Sequence, residues 1–159
     1  MSSWQESWVG AETSILGFFR DILEGSAENS FIGELPKDFQ YSEEAGMFMF
    51  SLTGGGQPLD FDFNMNTPGS CGEKEFLGML EGVWTSREEA QRMASIVMDN
   101  LPIPENQLTG IRRIRPTENP SLERVTIPRR SDQEIGGDMR VWQMTCPMLV
   151  LFTKEAGDG

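Results

Sequence analysis

The sequence contains no histidine. That excludes a histidine-based catalytic triad, an imidazole metal ligand and the one side chain whose unperturbed pKa lies near neutrality. Cysteine is nearly absent. Cys71 and Cys146 are too few for a disulfide framework and too far apart for a C-x-x-C motif, so two free thiols in a reducing compartment are expected. Positive charge is scarce: 13 Lys and Arg face 25 Asp and Glu, a net charge of −12. A chain so short of cations is a poor sequence-independent binder of DNA or RNA, which demands neutralisation of phosphates. No uninterrupted apolar run reaches the roughly 18 residues of a membrane-spanning helix. The opening MSSWQESWVG lacks the positive segment of a secretory signal.

What is present fits one globular unit. The 159 residues, 38% apolar and 24% charged, match a single domain spanning 1–159. Ten methionines and ten phenylalanines serve as core filler, methionine adapting to irregular gaps. The charge is polarised along the chain. Residues 1–100 carry the whole net charge of −12, and residues 101–159 are neutral. Six arginines fall between Ile111 and Ser131, namely Arg112, Arg113, Arg115, Arg124, Arg129 and Arg130, opposed there only by Glu118 and Glu123. They are either a solvated strand face or a patch that meets the acidic part of a neighbouring copy.

A helix is predicted from Trp4 to Leu23. Ser3 and Glu6 have capping-box spacing, and Trp4, Trp8, Ile15, Phe19 and Ile22 recur near the helical period. Gly10 is a possible break, and Gly25 a C-terminal stop. Trp4 and Trp8 belong to the core or anchor a partner. Phe31 and Ile32 read as an apolar patch in a connector. Gly46–Thr53 alternates as a strand, with Phe48, Phe50 and Leu52 on one face, and Gly54-Gly55-Gly56 closes it. A long loop or arm follows at about 54–72. There Asp60 and Asp62 alternate with Leu59, Phe61 and Phe63, either as metal-binding carboxylates or as the exposed face of a short strand. The lack of further oxygen ligands at calcium spacing favours the exposed face. Long unstructured stretches of this kind are usually functional or mobile.

Glu73–Trp84 reads as a second strand whose Gly78 and Gly82 suggest a bulge or the close approach of another chain. Arg87–Asn100 is a helix, capped by Ser86 with Glu89 three residues on. Its apolar stripe is Ala90, Met93, Ala94, Val97, Met98 and Leu101, and Pro102 stops it. Thr109–Arg115 and Leu122–Ile127 are read as a basic hairpin spanning about 109–130. The last strand, Met139–Lys154, turns Trp142, Met144, Cys146, Met148, Val150 and Phe152 inward, with a bulge or an edge at Pro147. Cys146 is thereby a small buried hydrophobe and not a nucleophile. Leu16, Phe19, Phe50, Ala94, Val97, Trp142, Met144 and Val150 form the expected core. The fold class is α+β: a mainly antiparallel sheet with the N-terminal helix and one central helix packed on one face.

The motifs of chemistry are missing. There is no G-x-S-x-G elbow, and the glycine run at 54–56 lacks the Lys-Ser/Thr of a phosphate-binding loop. The arginine stretch contains no aromatic residue, unlike single-strand nucleic-acid binders. No enzyme, metal or cofactor is expected.

The order of features carries a resemblance. A helix is followed by Leu35-Pro36 and by a strand ending in Thr53-Gly54. FLGMLEGVW then runs into TSREEAQRMASIVMDNLP, and IRRIRPTENPSL precedes the closing VWQMTCPMLVLF. Over roughly residues 10–154 this resembles the tail-terminator family of long-tailed bacteriophages, also called minor capsid or tail-completion proteins. The Gln57–Gly72 and Arg113–Met139 stretches are longer than the family's pattern. The resemblance implies a structural virion protein of the neck or tail, assembled in the host cytoplasm as a homo-oligomeric ring, typically a hexamer. Its partners would be a tail-tube protein and a head-connector or stopper protein, and it would have no catalytic residues. An acidic composition suits a passage for DNA, since an anionic lumen repels a moving polyanion. The interface residues expected on this reading are Arg112, Arg113, Arg115, Arg129, Arg130, Asp60 and Asp62. The alternative is a small cytosolic binding module or assembly chaperone.

Overall fold

A computed structural model describes residues 3–37, 46–55, 73–103, 107–128, 138–154 and 156. Its first helix, α1 (Trp4–Ile22), starts where the Ser3 hydroxyl accepts the Glu6 amide at 3.1 Å and runs unbroken through Gly10. Its end differs from expectation. Glu24, with φ of 56°, takes the left-handed position, and the Gly25 amide reaches back to the Arg20 carbonyl at 2.8 Å. Gly25 is needed for space instead, because a Cβ there would lie 2.6 Å from the Phe48 ring.

Strand β1 (Ser30–Ile32) lies where the sequence suggests only a connector. It pairs in parallel with β2 (Met47–Gly54), Phe31 opposite Met49. Three residues are too few to show a period of two, so pairing decides the element. Arg20 secures it from α1 by donating to the Ser30 hydroxyl and, at 3.1 Å, to the Ser30 carbonyl. β2 pairs antiparallel with β3 (Glu73–Trp84), whose bounds are those read from the sequence. The second helix, α2 (Arg87–Asn100), begins at its Ser86 cap, which accepts the Glu89 amide at 3.3 Å. Among the described residues three strands follow: β4 (Ile111–Pro116), β5 (Ser121–Pro128) and the long β6 (Asp138–Thr153).

The sheet order is β1-β2-β3-β6-β4, with β5 also on β6, and every pair but the first is antiparallel. The fold is therefore α+β. The basic hairpin is not formed: β4 and β5 follow one another along the same edge of β6, and it is β5 that makes the hairpin with β6. Pro147 explains the break between them. An antiparallel strand aims the N–H and C=O of one residue toward the same neighbour. The Pro147 carbonyl accepts the Thr117 amide at 3.0 Å, so its missing N–H faces residues 117–120, between β4 and β5. The break expected at Pro147 therefore lies on the β4–β5 side of β6, where no strand residue pairs with Cys146 or Pro147, whereas on the β3 side Met79 pairs with Pro147 in unbroken register.

Even-numbered residues of β2, β3 and β6 form the face under the helices. Phe50, Leu80 and Cys146 lie in one row across three strands and are fully buried. Ile15, Leu16 and Phe19 of α1 and Ala90, Ala94 and Val97 of α2 close over them. Each large apolar side chain so buried contributes about 1.5–3 kcal/mol. One expected core position, Trp142, and one residue of the α2 stripe, Met98, are marginal. Trp142 is half-buried, its ring packed against the core with the Arg87 guanidinium 5.5 Å from its centroid, and Met98 is exposed. The β3 glycines answer to internal packing, not to another chain. The Trp84 ring lies across Gly82 and Gly46, where added Cβ atoms would fall 2.1 and 2.0 Å from it. No helix among the described residues is long and apolar enough to cross a membrane.

Candidate functional site

Ile111 and Ile114 are both buried and both face the helices, Ile111 opposite Phe152 and Ile114 opposite Val150. Two residues three apart share a strand face only if an extra residue is inserted. The register shifts between Ile111 and Arg113, and Arg112 is that residue. The bulge sets Arg112 beside Arg113 on the outer face, where both line a shallow depression of about 400 Å³ with Glu73 and Leu151. Arg115, opposite Leu149, lies on the same face. Arg124, opposite Trp142, belongs to the helix-side face, so the arginines do not form one row.

Two of these cations are engaged within the chain. Arg112 Nε lies 3.3 Å from Glu73 Oε1, both side chains nearly half exposed, so the pair contributes about 0.2–1 kcal/mol. Arg113 Nη2 lies 3.2 Å from Glu75 Oε2 across β6. Here the partners are unequal: the Glu75 side chain is 4% exposed and that of Arg113 is 51%. A nearly buried carboxylate therefore rests on one half-exposed guanidinium. Arg115 makes no ion pair with a described residue. Beside it, Leu77 is 40% exposed at the middle of the outer face, paired with Leu149, with Leu151 and Met79 adjoining. Asp60, Asp62, Arg129 and Arg130 lie outside the described residues, as does Cys71.

A second concavity was not singled out in the sequence. It runs between the first half of α1 and the start of β3, has a volume of about 710 Å³, and is lined by Trp4, Gln5, Trp8, Val9, Glu12, Lys74 and Phe76. Its geometry follows from the shortness of β1. Beyond Phe50 no β1 residue pairs with β2, so the Leu52 backbone needs other partners. The Trp8 indole donates to the Leu52 carbonyl at 3.1 Å, and the Glu12 carboxylate accepts its amide at 2.9 Å. One helical turn separates the two side chains, the spacing that puts both on one face. Burial holds the Glu12 carboxyl above its ordinary pKa, partly offset by the Leu52 hydrogen bond. Trp8 meets Phe76 edge-on at 4.6 Å, Phe76 meets Phe152 at 5.1 Å, and Trp4 meets Phe152 at 6.0 Å. The ammonium groups of Lys74 and Lys154 each stand 5.6 Å from the Trp4 ring centroid. Trp4 and Trp8 are thus half-buried, one side on the core and the other on the groove. The signal for this site was the Trp4–Trp8–Glu12 stripe, in which a polar residue continues the aromatic spacing.

Cys146 is fully buried and unbridged, and burial pushes its thiol up to about 11. A thiol so shifted is a weak nucleophile at neutral pH. Among the described residues, no three His, Cys, Asp or Glu side chains come together as a metal site. No protein-family model and no curated protein matches the chain.

Proposed function

We propose that this chain is a non-enzymatic structural subunit that assembles head-to-tail with copies of itself, as a ring of the phage tail-terminator kind at the junction of tail tube and head. The observation that carries the reading is the outer sheet face. Leu77 is 40% exposed among Leu149, Leu151 and Met79, and Arg115 stands on the same face without an ion pair to a described residue. An apolar centre with a charged rim is the anatomy of a protein contact. In a chain of net charge −12, any neighbouring copy offers carboxylates to such a rim. A closed ring needs two different patches on each subunit. The helix-side groove, on the opposite face from Arg112, Arg113 and Arg115, is a second one.

Light scattering over a range of concentrations tests the reading. The expected result is a mass rising from the 17.8 kDa monomer to a fixed multiple, with rings enclosing a central opening in electron micrographs. Arg115→Glu should lower the assembled fraction and leave thermal unfolding unchanged. A wild-type mass that stays at 17.8 kDa throughout, or a compact dimer without an opening, overturns it.

A further inference from the structure

The groove between α1 and β3 combines an aromatic floor with positive charge. Its floor is aromatic, from Trp4, Trp8 and Phe76, and Val9 on its wall is exposed. Lys74 and Lys154 flank Trp4 and form no ion pair with a described residue. Over the whole chain acids outnumber bases about two to one. The one carboxylate of the lining, Glu12, is turned onto the Leu52 amide, so two ammonium groups beside an apolar floor are complementary to an apolar segment that carries acids. Strand addition is blocked at the adjacent β2 edge, because Trp8 and Glu12 already hold both polar groups of Leu52. Recognition must come from side chains: apolar anchors on the floor and carboxylates toward the lysines. At about 710 Å³ the groove has room for two or three anchors.

The sequence itself supplies such a segment in Leu59-Asp60-Phe61-Asp62-Phe63. Three apolar residues alternate with two carboxylates, a pattern that parts the two chemistries onto opposite sides of an extended chain. We propose that the groove receives the Leu59–Phe63 stretch of a second copy of this chain. The inference rests on the self-assembly reading above. It adds a contact between copies to the one at the outer sheet face, and groove and segment are different patches, as a head-to-tail contact requires.

Disulfide trapping in a Cys71→Ser background tests it, Cys146 being buried. Chains bearing Val9→Cys are mixed with chains bearing Asp62→Cys and mildly oxidised. The expected product is a linked heterodimer in excess over either chain alone. A synthetic peptide of residues 57–65 should compete with it, and Lys74→Glu with Lys154→Glu on the groove chain should cut its yield by about fivefold or more. No heterodimer above the controls overturns the proposal. So does an internal bridge, formed without dimer in dilute protein, when one chain carries both cysteines. Light scattering on the same samples keeps the two readings apart. Higher masses without the cross-link overturn the docking and leave self-assembly standing, whereas a mass of 17.8 kDa throughout overturns both.

Discussion

Arg113→Ala removes the guanidinium that faces Glu75 at 3.2 Å. The cost follows from how unequally the pair is exposed. Breaking a fully buried ion pair costs about 3–5 kcal/mol, because the surviving charge is left uncompensated. Breaking an exposed one costs about 0–1 kcal/mol. Glu75, with its side chain 4% exposed, lies at the buried limit, but Arg113 is 51% exposed and leaves a space that water can enter. The expected loss is intermediate, about 1–3 kcal/mol, the range for a buried polar group deprived of its partner. Arg112→Ala is an internal control. Its pair with Glu73 is exposed on both sides, and its loss should be about 0.2–1 kcal/mol. Glu75→Gln should be mild, since the amide oxygen still accepts from Arg113 and the charge that remains, on the half-exposed guanidinium, is solvated. Urea unfolding followed by tryptophan emission gives each value by linear extrapolation. In a double-mutant cycle, Arg113→Ala should cost less in the Glu75→Gln background. If Arg113→Ala is no more disruptive than Arg112→Ala, or costs the same with and without Glu75→Gln, the dependence of Glu75 on Arg113 is refuted. The pair also decides how assembly is to be probed. A charge reversal at Arg113 would set two carboxylates together and damage the fold, whereas Arg115→Glu disturbs the rim alone.

Glu12 has a raised native pKa, so the native state holds its proton more tightly than the unfolded chain and the ionised form is the costly one. Stability from this group is full below the unfolded pKa and falls as pH rises through the native one. Glu12→Gln should abolish that component in unfolding curves from pH 4 to 7 and match or exceed the wild type at pH 7, whereas Glu12→Ala, which strands the Leu52 amide, should destabilise at every pH. An unchanged pH profile in the Glu12→Gln variant would refute the assignment. Gly82→Ala should cost about 1–3 kcal/mol by overpacking against Trp84, seen as a lowered urea midpoint at constant slope. A silent Gly82→Ala would mean that the Trp84 ring does not lie across the strand. Cys146 should resist alkylation in the native protein and react after unfolding, with no Cys71–Cys146 bridge in non-reducing mass spectra. An intact bridge would place the chain in an oxidising compartment and count against the phage reading.

The candidate site was legible only in part. The arginines of β4 were evident from composition, but their grouping was not. The clue was present in Ile111 and Ile114: two apolar residues three apart in a strand demand an inserted residue, and that insertion brings Arg112 and Arg113 onto one face. Nothing local could show that Glu73 and Glu75, some forty positions earlier, would meet them across β6. The groove was hidden because its walls come from a helix and a strand more than sixty residues apart.

What the sequence determined by itself is what neighbouring residues can decide. The Ser3 and Ser86 caps, the bounds of β3 and α2, and the inward run from Met144 to Phe152 rest on hydrogen bonds and periodicities within a few residues. Tertiary structure decided the rest, since strand pairing joins distant segments and local chemistry sees only one of the two. β1 exists because β2 offers it an edge, three residues carrying no period of their own. β4 and β5 lie end to end because Pro147, on another strand, withholds an N–H where they would otherwise join. Glu24 takes the left-handed turn, and Gly25 leaves the space that the Phe48 ring, from a distant strand, fills.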